Sequence, residues 1–369
     1  MKNNLPAWVD PAPWMERCRH AGSCDVRNAL TATQPAEFEL AALLSPAARP
    51  MIEDLARRSR DLTTSHFGNI IDLYIPLYLS DECTGGCAYC GFAADRHTPR
   101  RTLTLDEVDR ELDAVAAMGL QEILLLTGER SPHVDATYVG ACITRAAQRF
   151  HRVTIETFPM TVDEYRHIAA CGCSGVTIYQ ETYDPERYAE LHRWGPKRDF
   201  PSRLDAPARV LAAGIRTCGL GALLGLHDSN HDMLALYRHA RHLQRDFWRG
   251  GLSISFPRVC PEGGGFIPPS PVDETRLTQI VCAFRIALPD MPLILSTRER
   301  PAIRDGLAGI GITRMSVASR TTVGGYAGAD TNRDGQFHVH DDRPVEDFCA
   351  ALRKKGLEPV FKNWETIYR

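Results

Sequence analysis

Ile71-Asp72-Leu73-Tyr74-Ile75-Pro76-Leu77-Tyr78-Leu79-Ser80-Asp81-Glu82-Cys83-Thr84-Gly85-Gly86-Cys87-Ala88-Tyr89-Cys90-Gly91-Phe92 joins an apolar, strand-like run to a glycine-rich loop that holds three cysteines. The cysteine spacing is Cys-x3-Cys-x2-Cys. A zinc site usually takes four protein ligands in paired Cys-x2-Cys form, and the second pair is missing. A ferredoxin pattern needs a fourth cysteine, and none follows nearby. Chance clustering among 12 cysteines is the plain alternative. The position on a loop leaving a buried strand, with glycines and a closing aromatic, favours a cluster site. Three thiolates would hold a cubane [4Fe-4S] cluster and leave one iron without a protein ligand. An open iron of that kind can bind and cleave S-adenosylmethionine (SAM).

Working outward from this stretch, strand and helix signals alternate. Strand-like runs fall at 71–79, 122–127, 153–158, 175–180, 217–224, 252–258, 293–297 and 315–319. Helical patterns lie between them, at 104–118, 135–149, 161–170, 204–213, 230–244 and 273–288. The first of these opens on a capping box, Thr104-Leu105-Asp106-Glu107. Eight strands alternating with helices predict an α/β fold with a parallel sheet, and the count favours a (β/α)8 TIM-type barrel over an open doubly wound sheet. Residues 1–66 read as a partly helical N-terminal extension, with a helix over 45–65. Residues 67–320 form the barrel, and 321–369 a tail that closes it and ends in a short helix and Trp364.

Composition narrows the partners. The 369 residues carry a net charge of −3 with no basic block, which gives nucleic-acid binding no support. No apolar run approaches the ~20 residues of a membrane helix, and the N-terminus lacks a signal-peptide core. A cytoplasmic location follows, where thiols stay reduced. Cys142, Cys218 and Cys282 then read as core thiols, and Cys171 and Cys173 as a helix-to-strand turn.

In a barrel, chemistry gathers at the C-terminal ends of the strands, where the three cysteines fall. Thr127-Gly128-Glu129 ends strand two, Glu156 lies on strand three, and Gln180-Glu181-Thr182 ends strand four. Arg258, Arg298, Ser316 and Ser319 follow on strands six, seven and eight. A charged residue at one strand end is commonly a solvated loop residue; several at one mouth point to a site. His338 and His340 read as a polar closure of the tail, with no metal assigned.

Beyond the cysteine run, Leu125-Leu126-Thr127-Gly128-Glu129, Tyr179-Gln180-Glu181-Thr182-Tyr183, Gly219-Leu220-Gly221-Ala222-Leu223 and Ser255-Phe256-Pro257-Arg258 carry a family likeness. So do Ser296-Thr297-Arg298-Glu299 and His340-Asp341-Asp342-Arg343. From about residue 45 onward the chain resembles the radical SAM superfamily, and within it the aromatic amino acid lyases of the ThiH (2-iminoacetate synthase, tyrosine lyase) type in thiamine biosynthesis. The resemblance implies a radical lyase that cleaves the Cα–Cβ bond of L-tyrosine to dehydroglycine (2-iminoacetate) and p-cresol. A tryptophan lyase on the same scaffold and a non-catalytic iron–sulfur protein are the alternatives. It implies Cys83, Cys87 and Cys90 as cluster ligands, and Tyr89, Thr127, Gly128, Glu129, Glu156, Glu181 and Arg203 around SAM, a surface position being the other reading of Arg203. It implies Arg298 on the substrate carboxylate, with Ser316 and Ser319 beside it. Flavodoxin or ferredoxin would supply the electron, and a thiazole synthase would receive the product. Two positions depart from the family pattern: Phe158 follows Glu156 where glutamine is usual, and Val259-Cys260-Pro261-Glu262 follows Arg258. The hydrogenase-maturase sister branch needs C-terminal cluster cysteines, and beyond residue 300 only Cys349 occurs.

Overall fold

The computed structural model describes residues 5–261, 264–328 and 335–362. Trp364 and Glu262 lie outside the described residues. Four helices lead in: α1 (Ala12–His20), α2 (Ser23–Thr31), α3 (Glu37–Leu44) and α4 (Ile52–Phe67). The barrel follows as β1 (Ile70–Tyr78), α5 (Leu105–Ala116), β2 (Glu122–Leu126), α6 (Ala136–Ala146), β3 (Arg152–Glu156), α7 (Val162–Ala170) and β4 (Cys173–Glu181). It continues through α8 (Pro185–Leu191), α9 (Phe200–Ala212), β5 (Thr217–Ala222), α10 (Ser229–Asp246), β6 (Gly251–Ser255), α11 (Glu274–Ala287), β7 (Leu293–Leu295), α12 (Pro301–Leu307) and β8 (Arg314–Ser316). Helix α13 (Val345–Lys354) and β9 (Glu358–Val360) end the described chain.

Strands β1 to β8 pair in sequence order, all parallel, and β1 pairs with both β2 and β8, so the sheet closes into a (β/α)8 barrel. Closure is driven by burial on both faces: Ile71, Leu73, Ile75, Leu77, Ile123, Leu125, Val153 and Ile155 are fully buried. β9 adds to the start of β1 through Ile70, Ile71 and Asp72. Helices α5 and α7 begin where capping boxes dictate. Thr104 accepts from the Glu107 N–H while Glu107 accepts from the Thr104 N–H, and Thr161 and Glu164 repeat the exchange.

The structure corrects several boundaries. Strand six ends at Ser255 and strand eight at Ser316, so Arg258 and Ser319 sit on the loops beyond. Isolated backbone contacts and buried apolar residues continue beyond the regular ladder, with Val317 N–H on Tyr74 O and a parallel bridge between Leu224 and Arg258, which is why sequence reading overextends the strands. Three short helices fill residues 12–44, where the Pro- and Ala-rich composition gave no periodic signal, and α8 and α12 were not expected. Cys142, Cys218 and Cys282 are core thiols in α6, β5 and α11, and Cys171 caps α7 two residues before Cys173 opens β4. No helix among the described residues is long and apolar enough to cross a membrane.

Candidate active site

The cysteine loop is held as a strand-like flap. Gly86 N–H donates to Trp194 O at 3.0 Å and Ala88 N–H to Leu191 O at 2.9 Å, pairing the loop with the segment that follows α8. Gly86 is required here, because a Cβ would lie 2.4 Å from the Trp194 ring. Gly128 is required on the other side: its Cβ would meet Glu82 O at 2.3 Å, so the end of β2 can lie against the loop only with glycine.

Cys83, Cys87 and Cys90 line one cavity at the C-terminal mouth. No disulfide joins any cysteine. Cys83 Sγ accepts from the backbone N–H groups of Gly85 at 3.4 Å and Glu129 at 3.3 Å, and the Gln336 side-chain amide lies 3.7 Å from Cys90 Sγ. These N–H donors suit anionic sulfur. Burial in protein groups alone pushes the Cys87 thiol up to about 12, so loading a cluster must release protons. Three converging thiols with N–H donors fit a [4Fe-4S] cluster that keeps one iron open.

Around the thiols stand the other cavity residues. Tyr89 lines the wall with its ring against Phe266, while its O–H donates to His192 Nε2 at 2.8 Å. His192 Nδ1 donates to Tyr188 O at 2.8 Å, which leaves Nε2 bare, and burial followed by the nearby Lys197 charge hold the ring down to about 3. Thr127, Gly128 and Glu129 line the same space. At the end of β4, Thr182 N–H donates back to Gln180 O at 3.0 Å, and Glu181 sits at φ +70°. That is a strained turn for a residue with a side chain. Lys197 Nζ donates to Glu181 Oε1 at 2.6 Å, and Arg203 NH2 lies 3.8 Å away. Burial works against the Glu181 carboxylate, but Lys197 and Arg203 outweigh it and keep the group below its usual range. Arg203 is buried and donates from Nε to Tyr179 O at 2.7 Å, so the surface reading fails.

Glu156 lies where the mouth cavity meets a second, deeper one, lining both. Burial, with Glu181 adding repulsion, pushes its carboxyl up to about 7. Arg298 also lines both cavities; its guanidinium stacks on Phe337 at 3.4 Å from the ring centre. Among the described residues it has no ion pair. Ser316 and Ser319 line the deeper cavity. Ser316 Oγ accepts from Thr297 N–H at 3.2 Å, while Ser319 Oγ is buried and finds no partner among the described residues.

Arg258 does not join the site. It lines neither cavity, pairs instead with both carboxylate oxygens of the buried Glu299 and donates to Val272 O at 2.7 Å. His340 donates from Nδ1 to Arg298 O at 2.8 Å, and Asp341 pairs with Arg304 and Arg343, so this block fastens the tail. Sequence reading missed Lys197, Gln336, Phe337 and Tyr179 as cavity residues. Tyr179 stood inside a quoted block; Lys197 follows a Gly195-Pro196 turn, the one local hint of a cation brought inward. Phe158, in place of the family's glutamine, and Cys260 both line the mouth cavity.

Comparison with known proteins gives the following. The Radical SAM superfamily profile matches residues 77–240, and the Biotin and Thiamin Synthesis associated domain matches residues 255–358. The 2-iminoacetate synthase of Escherichia coli K12 is 41% identical over 93% of this chain and 91% of its own length. That of Salmonella typhimurium LT2 is 39% identical over the same shares, 93% and 91%. The crystal structure of HydG, a maturase of the [FeFe]-hydrogenase, superposes with a TM-score of 0.92 at 29% identity, covering 98% of this chain and 82% of that one.

Proposed function

The chain belongs to the 2-iminoacetate synthases of the radical SAM superfamily, and from that premise we propose how its own residues cleave the Cα–Cβ bond of L-tyrosine to 2-iminoacetate and p-cresol, with SAM spent as methionine and 5′-deoxyadenosine. The observation that carries the reading is the pair of joined cavities: three thiols line the mouth, and Arg298, half-buried and without an ion pair among the described residues, lines both.

Cys83, Cys87 and Cys90 would hold the cluster. When bound, the cluster and SAM supply the organic radical that starts the chemistry. Thr127, Gly128 and Glu129 present carbonyl and carboxylate oxygens to the SAM ammonium. Lys197 and Arg203 offer the cationic side of the same pocket, with Glu181 fixed between them, and Tyr89 packs beside the nucleoside. Arg298, which meets no carboxylate among the described residues, would grip the carboxylate of tyrosine, with the Ser316 and Ser319 hydroxyls beside it. Glu156, which lines both cavities, would hold the amino group, and a carboxyl raised by burial is suited to take a proton from an ammonium. The position of the amino group decides which hydrogen is lost.

The domain limits 1–66, 67–320 and 321–369 are part of this reading, as are a flavodoxin or ferredoxin donor and a thiazole synthase acceptor. Imines hydrolyse in water, which supports direct hand-over. Twelve unpaired cysteines support a reducing, cytoplasmic setting. Replacing Cys87 with Ala tests the cluster assignment. Reconstituted C87A should carry no [4Fe-4S] electron paramagnetic resonance signal and form no 5′-deoxyadenosine; turnover at the wild-type rate would overturn it.

A further inference from the structure

The loops that leave β4 and β5 meet on the barrel rim outside both cavities. There Asp184, His227 and His231 each turn one ligand atom toward a common point, and these atoms all lie within 4.8 Å of one another. His227 Nε2 is 3.9 Å from Asp184 Oδ2. The two imidazoles, four residues apart at the start of α10, meet edge to face with centroids 5.0 Å apart. Asp184 Oδ1 is already engaged, accepting the Arg187 N–H at 2.6 Å as the cap of α8, so Oδ2 is the oxygen left for the histidines.

A second carboxylate stands behind the group. Asp232 is 2% exposed and accepts from the Thr182 hydroxyl at 3.0 Å and the Tyr183 N–H at 2.8 Å. Its Oδ1 lies 3.5 Å from His231 Nδ1. At this ion-pair distance, without a formed hydrogen bond, the Asp232 charge faces the Nδ1 side of the ring and favours a proton there, the arrangement by which carboxylates orient metal-binding imidazoles. The lyase chemistry uses none of these four residues.

We propose that Asp184, His227 and His231 form a divalent transition-metal site of the Zn2+ class, oriented by Asp232. Two imidazole nitrogens and one carboxylate oxygen suit Zn2+; Ca2+ and Mg2+ take more oxygens than are offered. Three protein ligands leave a fourth position to water. Side-chain exposures of 28% for Asp184, 32% for His227 and 18% for His231 give the ion a path in from solvent. Bound there, the ion fastens the loop after β5 to the loop after β4, which carries Glu181 three residues before Asp184.

The test uses cluster-loaded protein under anaerobic conditions, so that the cluster thiols are occupied. Zn2+ is titrated against a chromophoric chelator, and the thermal midpoint is read with and without the ion. Wild type should take up one equivalent and gain thermal stability. His227→Asn and His231→Asn should each lose both effects, and Asp232→Asn should weaken uptake by roughly 10–100-fold. His227 is a third exposed, so His227→Asn preserves the fold even where a change at Asp232 does not. No uptake by wild type, or equal uptake by the histidine variants with the ion on cysteines, overturns the proposal.

Discussion

Arg298 and Glu156 carry the substrate end of the account. Arg298→Ala removes the carboxylate grip but touches no thiol. Tyrosine turnover should fall by at least ~100-fold, as expected for loss of a charge-assisted pair worth about 3 kcal/mol. The cluster's absorbance should stay at the wild-type level; a variant that still turns over tyrosine normally would remove Arg298 from the site. Glu156 gives a pH signature in SAM-free protein. Its carboxyl is raised from 4.5 to about 7, so the folded state binds the proton more tightly than the unfolded chain. Stability from this group is therefore present at low pH and is lost as pH rises through 7, a difference of roughly 3 kcal/mol. Glu156→Gln should melt higher than wild type at pH 8, and the gap should close as pH falls toward 4.5. A gap independent of pH would mean that Glu156 titrates normally. At this scale the cysteines were legible because their chemistry depends on local spacing. Lys197 was not, because its role exists only once the segment after α8 folds back onto Glu181.

Elements place these residues through close approaches that depend on backbone without side chains. The end of β2 lies against the cysteine loop only because residue 128 has no Cβ. Gly128→Ala should force the loop outward at a cost of roughly 1–3 kcal/mol. Reconstituted protein should then hold less iron per chain than wild type; full iron content would show that the loop adapts. The strands themselves were readable, since parallel strands buried on both faces appear as unbroken apolar runs. Their ends were not, because Phe256 and Val317 stay buried and single backbone hydrogen bonds continue past the regular ladder, Val317 N–H to Tyr74 O and Val259 N–H to Leu224 O, so neither burial nor pairing stops sharply at the strand end. The polar residues at those ends divide: Arg298 lines the cavities, while Arg258 is held away from them by the buried Glu299 carboxylate. No pattern in the sequence distinguishes the two arginines, because the difference is set by a partner 41 residues away.

Across the whole molecule, eight parallel strands bring residues from 83 to 319 to one mouth, and the tail returns Gln336 and Phe337 to cover it. The barrel was legible from the alternation of strand and helix, whereas the N-terminal helices and β9 depend on contacts with distant elements. The central claim is that this mouth breaks the Cα–Cβ bond of tyrosine. It is tested most directly by giving anaerobic, cluster-loaded protein SAM, dithionite and tyrosine carrying carbon-13 at Cα, and reading the products by mass spectrometry. The account predicts unlabelled p-cresol, labelled glyoxylate from hydrolysis of 2-iminoacetate, and 5′-deoxyadenosine that depends on tyrosine. An intact cluster that forms no 5′-deoxyadenosine with tyrosine, or an indole product from tryptophan in its place, would contradict it.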